Sequence, residues 1–419
     1  MARMQRLKKK VVIIGGGFGG IFTAKHLDPS RYEVVIVDKT NHHLFQPLLY
    51  QVATAALSPA DIAIPIRKIL RKKENTLVLM CEATSIDKKK KTVSMKNHAD
   101  ITYDILVVAT GASHSYFGNP QWEELAPGLK TLDDALTIRE RILESFERAE
   151  MCDSYSSARK FLNFIIIGAG PTGVELAGSI AEIANHTLLE NFKRIDPTST
   201  RVYLLEGGNQ VLPTMPKKLG DRAKADLERL GIQVVTGNMV TDLKKSGVQV
   251  GNQFIESCNI IWAAGNVASP LLKSLDEELD RAGRVIVSPE LTIPGFDEIF
   301  VIGDAAHSKD KDANPLPGVA PVAIQQAKYV VNTLNKMKEK PIKPFSYIDR
   351  GSMATIGRFR AVAKFGNLEF AGFSAWLTWS FVHLLNLVLY RNRFRVFFEW
   401  GYSYVTGQRG ARIIRRPFF

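Results

Sequence analysis

The sequence predicts an α/β fold: two Rossmann-like domains and a separate C-terminal amphipathic segment. Three observations carry this. Short apolar runs alternate with helical stretches. A strand–glycine loop–helix–strand–acid order occurs twice. An apolar, aromatic stretch near the end then runs straight into arginines. Alternation of this kind indicates parallel sheets covered by helices, and recurrence of the whole order indicates duplication at domain scale.

Residues 11–14 are an apolar run expected to form a buried strand. The loop Gly15-Gly16-Gly17-Phe18-Gly19-Gly20 follows, then a helix to about Leu27. Pro29-Ser30 makes a turn, residues 33–37 form the next strand, and that strand ends on Asp38. A later strand, 105–109, ends on Thr110-Gly111. The same order restarts at strand 164–167, with the loop Gly168-Ala169-Gly170-Pro171-Thr172-Gly173 and a helix to about His186. Strand 201–205 ends on Glu206, and strand 260–263 ends on Ala264-Gly265. One more strand, 299–302, ends on Gly303-Asp304 and precedes a helix over about 322–338.

A lone GxGxxG is weak evidence. Here each copy follows a strand and opens a helix, where dinucleotide phosphates can be held. The first glycine permits the tight turn, the second lets the pyrophosphate approach the backbone, and the third lets the helix pack on the sheet. Gly15, Gly17 and Gly20 fill these roles in copy one, and Gly168, Gly170 and Gly173 in copy two. The helix N-termini add free N–H groups and a positive dipole end. Asp38 and Glu206 are placed to accept hydrogen bonds from an adenosine ribose, and Glu206 should repel a 2′-phosphate. The reach from the third glycine to the acid is longer in copy two, which predicts a longer helix or an insertion near 191–200.

Composition excludes other classes. With 45% hydrophobic and 23% charged residues, the chain can bury cores and is not disordered. Cys81, Cys152 and Cys258 are far apart and form no CxxC, which argues against a redox disulfide or a local zinc site. No metal site is expected. The basic first residues enter a strand rather than an apolar signal core, so no secretory signal is expected. Of the formal net charge of +13, eleven charges lie at the two ends. Arg3, Arg6, Lys8, Lys9 and Lys10 open the chain, and seven arginines against Glu399 close it over 391–419. Such clusters seek an anionic surface, either nucleic acid or phospholipid. Aromatic RNA-binding motifs are absent, so no nucleic acid partner is expected. Residues 376–390 are too short to span a bilayer, which takes about 20. They include Trp376, Trp379, Phe381, Leu384, Leu385, Leu387, Val388 and Tyr390. An element lying in the membrane interface is expected, its Trp and Tyr at headgroup level and Arg391, Arg393 and Arg395 on anionic lipids. A core helix is the bland alternative, and the same region could also serve a homodimer.

Residues 10–20, Thr110-Gly111, 167–175 and 300–305 resemble the two-dinucleotide-binding flavoproteins. The segment Asn41-His42-His43-Leu44-Phe45-Gln46-Pro47-Leu48-Leu49-Tyr50-Gln51-Val52-Ala53 is narrower, as are Ala320-Pro321-Val322-Ala323-Ile324-Gln325-Gln326 and the tail 376–412. Together these resemble the type II NADH:quinone oxidoreductases, single-subunit respiratory enzymes that do not pump protons. The resemblance implies noncovalent FAD in copy one and NADH as substrate in copy two. It implies a membrane quinone as acceptor and a peripheral place on the cytoplasmic face of the cell membrane. The expected domains are 8–124 with 290–355 for FAD, 125–289 for NADH, and 356–419 for membrane association.

The resemblance also implies site residues. For FAD these are Gly15, Gly17, Phe18, Gly19, Gly20, Asp38, Lys39, Gln46, Pro47, Ala83, Thr110, Gly111, Gly303, Asp304, Ala320, Pro321 and Val322. For NADH they are Gly168, Gly170, Pro171, Thr172, Gly173, Glu175, Glu206, Ala264 and Gly265. Glu175 is expected as a nicotinamide-side contact with a proton relay as the sharper reading, against a plain first-turn glutamate. Gln325 is a quinone-side candidate. Pro321 stands where the family often has glutamine, so that role does not carry over. His42 and His43 read as loop packing around the cofactor as much as acid–base groups. The rivals are a sulfide:quinone oxidoreductase, which needs redox cysteines at the flavin, another pyridine-nucleotide flavoprotein, and an FAD-binding scaffold or sensor. The second loop with its acid favours NADH over the first of these.

Overall fold

A computed structural model describes residues 8–336 and 343–414. Arg3, Arg6, Arg415 and Arg416 lie outside the described residues, as does the expected end of the helix near 338. In chain order, β1 (Lys9–Ile14) and α1 (Phe18–His26) flank the first glycine loop, and β2 (Tyr32–Asp38) ends on its acid. A short helix α2 (Leu49–Ala53) precedes β3 (Thr76–Met80) and β4 (Ile105–Val108). The long helix α3 (Leu132–Glu150) leads to the second loop, between β5 (Asn163–Ile167) and α4 (Pro171–Glu182). Next come β6 (Arg201–Glu206), α5 (Lys217–Arg229), β7 (Gln233–Thr236) and β8 (Asn259–Trp262). The chain continues with β9 (Phe296–Val301) and α6 (Ala320–Asn335). It closes with β10 (Ser352–Gly357), β11 (Arg360–Phe365), β12 (Leu368–Gly372), α7 (Phe373–Asn386) and α8 (Tyr390–Thr406).

Among the described residues the elements fall into two compact units, one within residues 1–44, 64–113 and 266–349, the other within residues 45–63, 114–265 and 350–419. In the first, Thr292–Ile293, β9, β4, β1, β2 and β3 make a six-stranded sheet in that order. Strands β9 to β3 run parallel. Their near-continuous Val/Ile composition fits a sheet covered on both faces. One face packs Ile13, Ile36 and Val107 against α1 and α6. The other packs Val12, Val35 and Val108 with residues of a small antiparallel sheet over 83–102.

The second unit repeats this plan. Its parallel sheet runs β7-β6-β5-β8, and a three-stranded antiparallel sheet over 240–256 lies between β7 and β8 in sequence. So the duplication includes the antiparallel insert, which periodicity in the sequence does not reveal. The second unit also owns the C-terminal region. A Cβ on Gly178 of α4 would sit 1.8 Å from the Ile356 carbonyl oxygen of β10, so only glycine lets helix and strand meet there. The expected boundaries at 124, 290 and 356 therefore differ from this division: contact density assigns 350–419 to the second unit, and 45–63 with it.

The expected single element over 376–390 is two helices, α7 and α8, preceded by the antiparallel sheet β10-β11-β12. Trp376, Trp379 and Leu387, expected at a lipid interface, are buried within the unit. They face inward because α7 is apolar all round and one stripe must cover the adjoining sheet. The other stripe, Phe373, Leu377, Phe381 and Leu385, spaced four residues apart, is exposed. On α8, Phe394, Phe397, Phe398, Tyr402 and Val405 are exposed, while Val396 and Trp400 are buried. Among the described residues no helix is long and apolar enough to cross a membrane.

Candidate nucleotide sites

Both loops are built by the same register. Ile14 pairs with Val37, so Gly15 lies level with Asp38; Ile167 pairs with Leu205, so Gly168 lies level with Glu206. The chain must then turn sharply, and Gly15 and Gly168 take φ of +108° and +103°, values that disfavour any side chain. A Cβ on Gly20 would lie 1.8 Å from the Gly15 carbonyl oxygen, and one on Gly173 equally close to that of Gly168. At Gly17 and Gly170 the opposite holds: a Cβ would meet nothing within 4 Å. These two N-cap residues open onto free space at the start of α1 and α4, which is where a helix N-terminus receives phosphate.

The acids close the loops. Asp38 Oδ2 accepts from the Gly16 N–H at 2.5 Å, and Glu206 Oε2 accepts from the Ala169 N–H at 2.8 Å. The remaining oxygens are held by backbone N–H groups of Thr40 and Gly208. A carboxylate has about four acceptor sites, so each acid keeps capacity for ribose hydroxyls. The Thr110 hydroxyl, at the end of β4, is buried and has no partner among the described residues. An open cradle with a partnerless hydroxyl beside it fits a bound FAD in the first unit.

A cleft in the same unit is lined by Ala112, Gly303, Asp304, Gly318 and Val322. Gly303 has φ +68°, and its N–H donates to Gln326 Oε1 at 2.6 Å. Gln326 Nε2 donates to Ser308 Oγ at 2.7 Å, so a fully buried amide ties β9's end to α6. Sequence reasoning missed Gln326; its neighbour Gln325 drew the attention. Gln325 instead pairs both amide groups with the backbone of Ile348, at 2.9 and 3.0 Å. Ala320 and Pro321 form the first turn of α6, where proline needs no N–H partner. Gly19 lets α1 approach both the end of β9 and α6: its Cβ would lie 2.9 Å from Ile302 Cδ1 and 3.5 Å from the Ala323 carbonyl oxygen. Phe18 opens α1, Lys39 is exposed, and Ala83 and Gly111 are partly exposed in the same unit. Gln46 and Pro47 fall in the second unit, with Gln46 Nε2 donating to the Lys130 carbonyl.

In the second unit, Pro171 and Thr172 cover the first turn of α4. Ala264 and Gly265 follow β8, and the exposed Phe117 ring lies against Gly265, where a Cβ would come within 2.5 Å. Phe117 has φ +49°, a strained value for an aromatic residue. Burial pushes the Glu175 carboxyl well above the ordinary 4.5, partly opposed by the Thr355 N–H that it accepts. Tyr50 beside it is likewise pushed up, first by burial and then by Glu175. A polar chain leads on: Gln51 Nε2 donates to Tyr50 Oη at 2.9 Å, and Trp400 Nε1 donates to Gln51 Oε1 at 2.7 Å.

Several arginines expected at an anionic surface are used internally. Arg409 is buried and pairs with Glu182 at 3.1 Å, and it also donates to the Thr54 carbonyl. Arg412 donates to Thr187 and Asn191, and Arg395 pairs with buried Asp61 at 3.2 Å. The longer reach of copy two is resolved by both expected means. A π-helical turn, Ile183–Thr187, extends α4, and a loop follows to Thr200. Thr187 in that turn donates to the Gly407 carbonyl.

Residues 9–327 match the family model described as pyridine nucleotide-disulphide oxidoreductase, and 350–409 match the NDH2 C-terminal domain. The type II NADH:quinone oxidoreductase Ndh of Mycobacterium tuberculosis is 46% identical, across 97% of this chain and 90% of the relative. The chain belongs to the type II NADH:quinone oxidoreductase family. An internal alternative NAD(P)H-ubiquinone oxidoreductase of Arabidopsis thaliana is 28% identical over 97% of this chain and 86% of its own length. NDH2 from Plasmodium falciparum, solved with NADH, shares the fold with a TM-score of 0.89 at 23% identity, covering 96% of this chain and 99% of that one. A sulfide:quinone oxidoreductase from Aquifex aeolicus also shares the fold, with a TM-score of 0.70 at 21% identity, over 98% of this chain and 93% of that one.

Proposed function

We propose that this chain is a membrane-associated flavoenzyme that oxidises NADH through FAD and reduces a membrane quinone to quinol without pumping protons. The observation that carries it is the pair of congruent nucleotide loops in a chain 46% identical, almost end to end, to type II NADH:quinone oxidoreductases. When bound, FAD supplies a two-electron carrier between a hydride donor and a quinone. The protein's own residues do the holding. Gly15, Gly17, Gly20 and Asp38 bind the flavin dinucleotide, with Asp304 and the first turn of α6 beside α1 in the same unit. Gly168, Gly170, Gly173 and Glu206 bind NADH, and the Glu206 carboxylate disfavours the extra phosphate of NADPH. Glu175, on the first turns of α4, has its carboxyl pushed well above the ordinary range by burial. It can store a proton near the nicotinamide-binding loop, which supports contact and leaves a relay role to be tested by the pH profile of Glu175→Gln. Gln325, with its amide spent on Ile348, is supported as an anchor of the 343–350 segment more than as a quinone ligand.

Purified protein with FAD should oxidise NADH with a short-chain quinone and leave NADPH nearly untouched; absence of quinone-dependent turnover would sink the reading. Membrane docking is assigned to the exposed stripes of α7 and α8, on an anionic phospholipid surface at the cytoplasmic face, where NADH is made. The exposed Arg391 flanks the stripe, whereas Arg393 Nε donates to the Leu387 carbonyl at 2.9 Å. Truncation at 376 would strip Trp379, Trp400 and Arg409 from the second unit, so point changes are the cleaner test. Phe381→Glu with Leu385→Glu should release the protein from anionic vesicles while NADH oxidation with a soluble quinone persists. A homodimer through the same helices is the accompanying proposal, checked by sedimentation of wild type and the same double variant.

A further inference from the structure

The two loops share one more feature, and there they diverge. In each, the second loop residue has its N–H held by the acid and its carbonyl held by a donor from the segment just after that acid. In copy two the donor is a backbone amide: Leu212 N–H to the Ala169 carbonyl at 2.7 Å. In copy one it is a side chain: His43 Nδ1 lies 3.0 Å from the Gly16 carbonyl. A carbonyl only accepts, so Nδ1 must carry the proton. His43 is 2% exposed, and the Phe18 ring meets it edge-on at 5.1 Å. Burial pushes its pKa down from the ordinary 6.5, against the Gly16 hydrogen bond and the Asp38 charge.

The Gly16 carbonyl belongs to the same peptide group as the Gly17 N–H, and Gly17 is the N-cap that opens onto free space. Donation to the carbonyl fixes the tilt of that peptide and strengthens its N–H as a donor, because hydrogen bonds in a chain polarise one another. We propose that His43 is a positioning residue for FAD: its Nδ1–H holds the Gly16–Gly17 peptide in the orientation that lets the Gly17 N–H donate to the pyrophosphate. This rests on the assignment of FAD to the first loop. The His43 position thus takes over what a backbone amide does in copy two, and makes flavin retention depend on one side chain.

The experiment compares wild type with His43→Phe, His43→Gln and His43→Asn. FAD is stripped and its rebinding followed by quenching of flavin fluorescence, and NADH affinity is measured with FAD in excess. Asparagine places an amide N–H where Nδ1 stands; glutamine places it one bond further out. His43→Phe and His43→Gln should weaken FAD binding about tenfold, the scale of one lost buried hydrogen bond. His43→Asn should restore most of it, and NADH affinity should stay at the wild-type value in all three. Equal FAD affinity in every variant would overturn the proposal, as would an asparagine variant no better than glutamine. If the phenylalanine variant does not fold, the Asn–Gln contrast decides alone. A wild-type protein that binds no FAD would overturn the assignment beneath the proposal, a failure seen before any variant is compared.

Discussion

The two glycine loops are near copies in geometry and differ in what stands behind them. Their turns, φ values, acid-to-amide hydrogen bonds and open N-cap positions coincide. The helix behind the first loop ends after nine residues and turns back at once. The helix behind the second continues through a π-helical turn and is gripped by the C-terminal tail: Glu182 by Arg409, and Thr187 by Gly407 and Arg412. Phosphate-binding geometry is therefore a local property that the short pattern dictates. Specialisation comes from the surroundings of each loop, a buried imidazole in one case and a C-terminal latch in the other.

The harshest break in the comparison is Gly20→Val against Gly173→Val. Each would drive a side chain into backbone, a cost of ~3 kcal/mol or more. The first should lose most of its flavin, read from the absorbance ratio at 450 and ~280 nm. The second should keep flavin and lose NADH saturation; loss of flavin in both equally would deny the division of labour. Next in size is the latch. Arg409→Ala leaves the partly buried Glu182 without its cation and should cost roughly 2–3 kcal/mol, below the full cost of breaking a buried pair, visible as a lowered unfolding midpoint in urea. An unchanged midpoint would mean that the tail does not brace α4.

A smaller effect sharpens the difference in ligand. Glu206→Gln should raise the NADPH-to-NADH ratio of kcat/KM about tenfold, the size of one ~1.4 kcal/mol charge–charge repulsion, with flavin content unchanged. The smallest is a pH slope. The Glu175 carboxyl has a folded value above its ordinary 4.5, so the fold favours the protonated form. That contribution is complete below the unfolded value and is lost as pH rises through the folded one. Glu175→Gln should flatten this decline in a pH series of thermal midpoints. An equal slope in variant and wild type would count against the burial-raised carboxyl.

Much of this was legible in the residues. Strand runs such as 11–14 and 164–167, the GxGxxG spacing and the acids 38 and 206 dictate loops whose atoms meet within a few residues of chain. The excess reach from Gly173 to Glu206 announced an extension, which the structure supplies. The antiparallel inserts at 83–102 and 240–256 were not legible, because short polar strands carry weak periodicity. The tail was half legible: an aromatic stretch with arginines looks alike whether it faces lipid or core. Trp376 and Trp379 turn inward, Phe381 and Leu385 outward, and Arg409 finds Glu182 more than two hundred residues away.

By itself, then, the sequence determined two nucleotide loops, their acids and their order, since turn sterics and register act over a handful of residues. Only the tertiary structure decided which carbonyl His43 caps, which glutamine of the pair at 325 and 326 is buried, and which arginines are spent internally. Those outcomes depend on segments far apart in the chain meeting in low-dielectric surroundings, where a buried polar group must find its partner.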